Sequence, residues 1–437
     1  MNLVSSRALY LTRAKTSKRT LNIIQSTRTR AKIEEQTSNL SARKTARTMA
    51  STPLNSHLNG TSNGDQNSSQ ETQMEKHPTN TAWHSPDANA YDFHSDTITT
   101  PTLSMLQAIT NCSLQDDIYK GDPTTAHLES SIAKLAGHEA GLLVMSGTMG
   151  NQVAMRAHLT APPHSVLCDY RSHIANYEAG GISTLSGAHL ITIHPKNNHH
   201  LTLEDIKKHV VISDDVHACP TKVISLENTL NGLIMPLDEI HRIAAFAHEH
   251  NILLHLDGAR IWEAAASTSN ETSLTDFCKP FDSVSLCFSK GLGAPIGSLL
   301  VGNTAFIKRA KWVRKMFGGS TRQSGIIAAA AQTAVLETFG SDANGTDGKL
   351  RVCHQKAAET AKLWEKLGGK LMWPAETNMV WLDAEGSGIS VEDLKKTASE
   401  EGIILRGERI VIHYQIADSA LKVLERTLEK VMQQRQS

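Results

Sequence analysis

The sequence predicts an α/β protein built on a mostly parallel sheet between helices, followed by a smaller α+β region. Three observations predict it. From about Tyr91 onward, short apolar, β-branched runs alternate with helix-length amphipathic stretches. Several of these runs stop abruptly at turns rich in glycine or hydroxyl side chains. After Gly340 the rhythm changes to long helices separated by isolated short strands.

Taken in order, residues 1–50 carry eleven Lys/Arg against Glu34 and Glu35 and are rich in Ser and Thr. Basic, hydroxylated and acid-poor is the composition of a mitochondrial transit peptide, and an unstructured extension upstream of Met49 has the same composition. Residues 50–88 are Ser/Asn/Thr/Gly-rich and hold too few large apolar side chains to offset the entropy of ordering, so residues 1–90 read as a leader and linker. A large domain is expected over 91–340 and a small α+β domain over 341–437.

Within the large domain, TTAHLESSIAKLAG (124–137) spaces Leu128, Ile132 and Leu135 on one helix face, with Gly137 as its stop. AGLLV then reads as a strand, Ser146-Gly147-Thr148 as a turn, and a helix opens near Met149. Further strands are expected in HSVLCDY (164–170), KVISLEN (222–228), ILLHLDGAR (252–260) and SVSLCFSK (283–290), with SLLVGN (298–303) running back from the last. GIIAAAAQTAVLETFG (325–340) is a long helix. Beyond it come the helix LRVCHQKAAETAKLWEKLGG, the strand NMVWLD (378–383), the helix SVEDLKKTASEEG, the strand ERIVIHYQ (408–415) and a last helix from Asp418.

Composition excludes some functions. Lys+Arg and Asp+Glu balance at 44 each, so global charge points to neither nucleic acid nor membrane as a partner. No apolar run approaches the roughly 20 residues that span a bilayer. The six cysteines form no C-x-x-C pair, which argues for a reducing compartment, the cytoplasm in the first instance, and against a zinc or disulfide framework.

The chemistry gathers at strand ends. Lys290 follows the run Val284–Phe288 at a Ser-Lys-Gly turn, and Gly291 and Gly293 let the backbone pass close to a bulky group. Such an amine can form a Schiff base with an aldehyde, as pyridoxal phosphate requires; a surface lysine after a strand fits the position equally. Asp257 ends ILLHL, where its carboxylate suits a protonated pyridine nitrogen or the cap of a following helix. Ser146-Gly147-Thr148, between strand and helix, is a phosphate cradle in type or a simple N-cap. His173 can stack on a flat cofactor or move protons. Arg260 and Arg409 flank apolar strands and suit a carboxylate or a structural ion pair.

These features come in a specific order. HSDTITTPT, DDIYKGDPT, SGTMGN, SHIANYEAGG, SLENTLNG, HLDGAR, SLCFSKGLGAPIGSLLVGN, RKMFGGSTRQSG and RIVIHYQ together resemble the threonine aldolases, of the β-eliminating lyase group of fold-type-I pyridoxal phosphate enzymes. The resemblance runs from about Tyr91 to the C-terminus. It implies a seven-stranded, mostly parallel sheet, pyridoxal 5'-phosphate as cofactor, a small amino-acid substrate, and a homotetramer with sites at dimer interfaces. By position it makes Lys290 the Schiff-base lysine, Asp257 the pyridine partner and His173 the stacked imidazole, with Gly147, Thr148 and Arg322 near the phosphate. Ser95, Arg260 and Arg409 match positions that grip the substrate carboxylate, and Tyr119 and Lys315 match a region shared with a neighbouring subunit. No metal is implied. The reaction implied is cleavage of L-threonine or L-allo-threonine to glycine and acetaldehyde.

Departures from the pattern lie mostly on the substrate side. Leu230 stands where bacterial-type members have a histidine facing the substrate hydroxyl, and Asn231 where eukaryotic members place one. His94 replaces an arginine, Lys120 a glycine, and Ser320-Thr321 a glycine and an apolar residue. Some fungal alanine racemases resemble the same family, and cleavage of a Cα–H bond needs no group for a β-hydroxyl, so racemisation is the alternative reading.

Overall fold

A computed structural model describes residues 89–119, 121–267 and 272–435. The expected leader and linker, up to residue 88, and the departure at Lys120 lie outside the described residues. Seven strands form the main sheet: β1 (Ala140–Val144), β2 (Ser165–Asp169), β3 (His189–Ile193), β4 (Thr221–Glu227), β5 (Leu253–Gly258), β6 (Ser283–Cys287) and β7 (Ser298–Gly302). Their spatial order is β1-β7-β6-β5-β4-β2-β3. All neighbours are parallel except β7, which runs antiparallel to both β6 and β1, so SLLVGN does run back from the lysine turn.

The burial explains why these segments were readable. β2, β6 and β7 are buried at every residue and β5 at all but its first, as strands covered by helices on both faces must be. β3 was not expected. It is one of the sheet's two edge strands, and although its sequence HLITI is apolar and β-branched, only its last residue is buried. The helices start and stop where local chemistry dictates. Asp122 caps the helix Pro123–Leu135 with Pro123 in its first turn, and Gly137 ends it at φ +74. Ser146 caps Gly147–His158, accepting from the Met149 N–H, so that helix opens two residues before the expected Met149. The Ala-rich helix Gly325–Ala334 continues as π-helical turns over Val335–Phe339 and ends at Gly340.

A second sheet, β10-β9-β8, is antiparallel and consists of β8 (Lys370–Leu371), β9 (Met379–Asp383) and β10 (Arg409–Val411). β10 is shorter than the apolar run around it. Val411 is its last paired residue, and Ile412 bonds instead to the Asn378 carbonyl. The helices Leu350–Lys366, Val391–Glu400 and Asp418–Gln434 pack on this sheet around Trp364, Val380, Leu394, Ile410 and Leu428. Phe93, some 260 residues earlier in the chain than that core's next member, Cys353, belongs to the same cluster. Its N–H donates to the Ile404 carbonyl and its carbonyl accepts from Val411. Among the described residues no helix is long and apolar enough to cross a membrane.

Phe93 is fully buried, so Phe93→Ala removes a ring from a closed core and should cost about 3–5 kcal/mol. The check is the urea midpoint of unfolding, followed by tryptophan fluorescence. An unchanged midpoint would mean that the 89–100 segment is not held by this core.

Candidate active site

Along the sheet the crossover direction reverses between β2 and β4, because β3 lies outside β2 on one side while β4 returns on the other. Open α/β sheets bind ligands outside the carboxyl ends of their strands at such a reversal. The expected site residues gather there. Asp257 is the penultimate residue of β5 at 3 % exposure, Lys290 follows β6 by three residues, and His173 opens a short helix four residues after β2. The His173 backbone N–H donates to Glu227 Oε2 at 2.8 Å, which closes the crevice from the β4 side.

Two carboxylates behind these residues were not anticipated. Glu178, in the motif SHIANYEAGG, is buried and accepts from His173 Nδ1 at 2.8 Å. That hydrogen bond raises the His173 pKa above its ordinary value, against the burial that would lower it. It also fixes the ring, leaving Nε2 as the free nitrogen. The Asn151 side-chain amide donates from one nitrogen to both Glu178 Oε1 (2.8 Å) and Asp257 Oδ2 (2.7 Å). His173, Glu178 and Asp257 place ligand-type atoms within 4.8 Å of one another. Here the donor hydrogens of His173 and Asn151 lie among them, an arrangement that a cation would have to displace.

Asn151 is itself oriented from behind. Its Oδ1 accepts from His255 Nε2 at 3.1 Å, His255 Nδ1 meets Ser283 Oγ at 2.8 Å, and Ser283 Oγ meets His158 Nε2 at 2.7 Å. Burial lowers the pKa of His255 to about 3, with the nearby His158 adding to it, and that of His158 to about 4. Both rings are therefore neutral, and each can donate from one nitrogen only. Glu227 is the opposite case. Burial, then the Asp257 charge on the neighbouring strand, raises it to about 8, so it carries a proton at neutral pH.

The residues expected on the substrate side surround Asp96. Arg260 Nε and an Nη donate to its two carboxylate oxygens at 2.7 and 2.6 Å. Burial alone would raise the Asp96 pKa, but Arg260, then Lys290 and Arg409, hold it down to about 2. Arg260 thus already has a carboxylate. Arg409 is half-buried, donates to the His94 carbonyl at 2.9 Å and lies over the Trp381 ring at 5.7 Å. Ser95 is buried and shares a hydrogen bond of 2.8 Å with Thr97 Oγ1 while capping the short turn Asp96–Ile98. Gly291 and Gly293 do allow close approach, but to protein side chains: a Cβ would strike the Glu263 carboxylate at one and the Tyr414 hydroxyl at the other.

The residues fit pyridoxal phosphate. An amine and a buried carboxylate stand on adjacent strand ends. The open N-terminus of the helix Gly147–His158 runs so close to β6 that a Cβ at Gly147 would lie 2.6 Å from Cys287 Sγ. A Cβ at Gly319 would lie 2.5 Å from Met149 Sδ, so the 318–321 turn packs on the start of the same helix, and the buried hydroxyls of Ser320 and Thr321 beside it have no hydrogen-bond partner. Free hydroxyls near a helix N-terminus suit a phosphate. Arg322 is placed differently. It is exposed, bound to Asp116 at 2.7 Å, and lies over the Tyr119 ring at 5.7 Å, with Tyr119 81 % exposed.

Asp96 titrates lower folded than unfolded, so its contribution to stability is full above about pH 4 and lost as pH falls toward 2. Asp96→Asn should cost about 3–5 kcal/mol at neutral pH by leaving Arg260 unpaired. It should also remove about 2 kcal/mol of the acid sensitivity between pH 4 and pH 2. Urea midpoints of both proteins at the three pH values check this, and parallel acid profiles would contradict it.

The comparisons with known proteins agree with this architecture. The family model for the beta-eliminating lyases matches residues 92–387. The aldolase vrtJ of Penicillium aethiopicum is 49% identical over 352 residues, covering 80% of this chain and 89% of the relative. The low-specificity L-threonine aldolase of Eremothecium gossypii is 45% identical over 338 residues (77% and 86%), and the alanine racemase TOXG of Cochliobolus carbonum 41% over 345 (79% and 88%). The threonine aldolase structure from Leishmania major, at 19% identity, superposes with a TM-score of 0.64 over 78% of this chain and 99% of its own, which shows a common fold. Through sequence and fold alike, the chain belongs to the beta-eliminating lyase family of pyridoxal phosphate enzymes and groups there with the low-specificity L-threonine aldolases.

Proposed function

We propose that this protein cleaves L-threonine and L-allo-threonine to glycine and acetaldehyde. The observation that carries the reading is the convergence of Lys290, Asp257 and His173 on the reversal point of the sheet, backed by Glu178 and Asn151. Bound pyridoxal phosphate supplies an aldehyde for a lysine amine and a ring that takes up the electron pair freed at an amino acid's Cα. Lys290 is the amine that holds it. Asp257, fixed by Asn151 and by the Ala259 N–H at 3.0 Å, keeps a pyridine nitrogen protonated. His173 presents a ring face held in place by Glu178, and Gly147 and Thr148 offer backbone N–H groups to a phosphate.

The substrate carboxylate goes to Arg409, with Ser95 beside it, while Arg260 acts mainly by holding Asp96 and the turn that carries Ser95. Clamping the carboxylate sets which bond at Cα stands ready to break. We read residues 341–437 as the smaller domain that brings Arg409 over the site. Tyr119, Arg322 and Lys315 belong to a surface that also exposes Trp312 and Met316, which supports a homotetramer in which this surface meets a second copy near its site.

The second reading is alanine racemisation, favoured by the 41% identity to a racemase and by the apolar Leu230 where the pattern has an imidazole. The cofactor-loaded protein, given L-threonine, L-allo-threonine and L-alanine in parallel, separates the two. Acetaldehyde and glycine without D-alanine are expected; D-alanine with little acetaldehyde would favour the racemase. Lys290→Ala should abolish turnover and the visible absorbance of the bound cofactor. Arg409→Ala should lower kcat/KM for threonine by about 10–100-fold, the worth of a charged hydrogen bond. Full activity in Lys290→Ala would refute the site.

A further inference from the structure

Against Glu227 a small cavity of about 20 Å³ is lined by Asp169, His199, His200, Glu227, Leu230 and neighbouring apolar side chains. Its volume is that of a single water molecule. Glu227 is the wall it shares with the site, through the bond to the His173 N–H. Leu230 offers this cavity only methyl groups. The imidazoles come instead from the connection that follows β3.

That connection is tightly built. Arg171, bound to both oxygens of Asp169 at 3.0 and 2.8 Å, donates to the carbonyls of Asn198 and His199 at 3.1 and 3.0 Å. Asn197 Oδ1 accepts the backbone N–H groups of His199 and His200 at 2.8 and 3.0 Å. Glu376 accepts from Ile234 N at 2.6 Å and from His199 Nε2 at 2.9 Å, and His199 Nδ1 lies 2.9 Å from His200 Nδ1.

Burial works to raise the Glu376 pKa, but the His199 and Ile234 hydrogen bonds outweigh it and keep it low, so Glu376 is an ionised acceptor. His199 Nε2 therefore donates to it. With the hydrogen between the two Nδ1 atoms on His200, that ring keeps a free lone pair on Nε2. Burial, then the neighbouring His199, lowers the His200 pKa and keeps that ring neutral.

We propose that Glu376, His199 and His200 form a proton relay for the site, in which His200 Nε2 takes up, through the cavity beside Glu227 and Leu230, the proton released by the β-hydroxyl of the substrate. The proposal rests on the aldolase reading above. In this step the substrate O–H bond breaks and its electron pair forms the second bond of the aldehyde carbonyl. The Cα–Cβ bond breaks with its pair remaining on Cα. The proton ends on His200, whose new charge faces Glu376 through His199. One proton is later taken up at Cα and one leaves His200, so the cycle balances.

The test uses full-length, cofactor-loaded protein with L-threonine, and glycine in D₂O as a reaction that involves no β-hydroxyl. His200→Gln should lower kcat for threonine cleavage about a hundredfold, within the range of a lost acid–base group. Exchange of the glycine α-proton, followed by NMR, should stay within about twofold of wild type. Glu376→Gln should cost about tenfold, and Leu230→His added to His200→Gln should recover about tenfold. The ¹⁵N spectrum of histidine-labelled protein should show His200 Nε2 without a hydrogen at neutral pH. Equal cleavage by wild type and His200→Gln, parallel loss of cleavage and exchange, or a protonated Nε2 would each overturn the relay. A wild type that exchanges glycine but releases no acetaldehyde overturns the aldolase reading as well, and is told apart by that arm.

Discussion

The buried pair between Asp96 and Arg260 is the constraint on which the rest of the site depends. A carboxylate with no exposed surface persists in a low-dielectric interior only when its charge is answered, and Arg260 answers both oxygens. The pair ties the 89–100 segment to the end of β5. The same segment reaches the other elements that meet here. Thr99 Oγ1 donates to the Lys290 carbonyl at 2.8 Å, the His94 carbonyl accepts from Arg409, and the Thr100 N–H donates to Gln415. Phe93 then inserts into the second hydrophobic core. A dozen residues thus fix the lysine turn, β5 and β10 against one another.

A second constraint lies behind Asp257. The chain His158–Ser283–His255–Asn151 runs through the interior behind the site, and burial keeps its two histidines neutral. Glu178 and Asp257 take the Asn151 nitrogen, which turns its oxygen toward His255. That choice sets the donors along the chain: His255 to Asn151, Ser283 to His255 and His158 to Ser283. Fully satisfied buried networks specify geometry more than they add stability. Here the specified geometry belongs to Glu178, which holds the His173 ring, and to Asp257 beside it.

The fold was legible where burial wrote it into the sequence. β2, β5, β6 and β7 are covered on both faces and lie in apolar stretches that read as strands, whereas β3 is a short edge strand whose Leu190, Ile191 and Ile193 were legible but not read. Strand ends beside glycines or hydroxyls drew attention to Lys290, Asp257 and the Gly147 turn. Asp96, Asn151, Glu178 and Glu227 lie inside the same motifs, but Asp96, Asn151 and Glu227 act on residues 27 to 164 positions away, and no local period reports that. Glu178 meets His173 within its own motif, five positions away, and was legible there. Arg260 shows the reverse limit. A strand-end arginine predicts a carboxylate partner correctly, yet nothing nearby tells that the carboxylate is Asp96 of the chain itself.

The two halves of the site differ in the kind of structure that carries them. Asp257, Lys290 and the Gly147 turn sit on or next to strands of the central sheet, where a changed side chain disturbs packing on both faces. Ser95, His200, Leu230 and Arg409 sit on connections or on a three-residue edge strand, where side chains can change without repacking the sheet. Aldolase and racemase chemistry both begin with an amino group and a carboxylate held over the same electron sink, and differ in which bond at Cα breaks and where its proton goes. With the roles proposed above, a scaffold with a rigid cofactor side and a substitutable substrate side can move between the two by altering the connections alone. The departures at Leu230 and Asn231, and the histidines that stand across the cavity from Leu230, lie in the part of this molecule where such alteration costs the fold least.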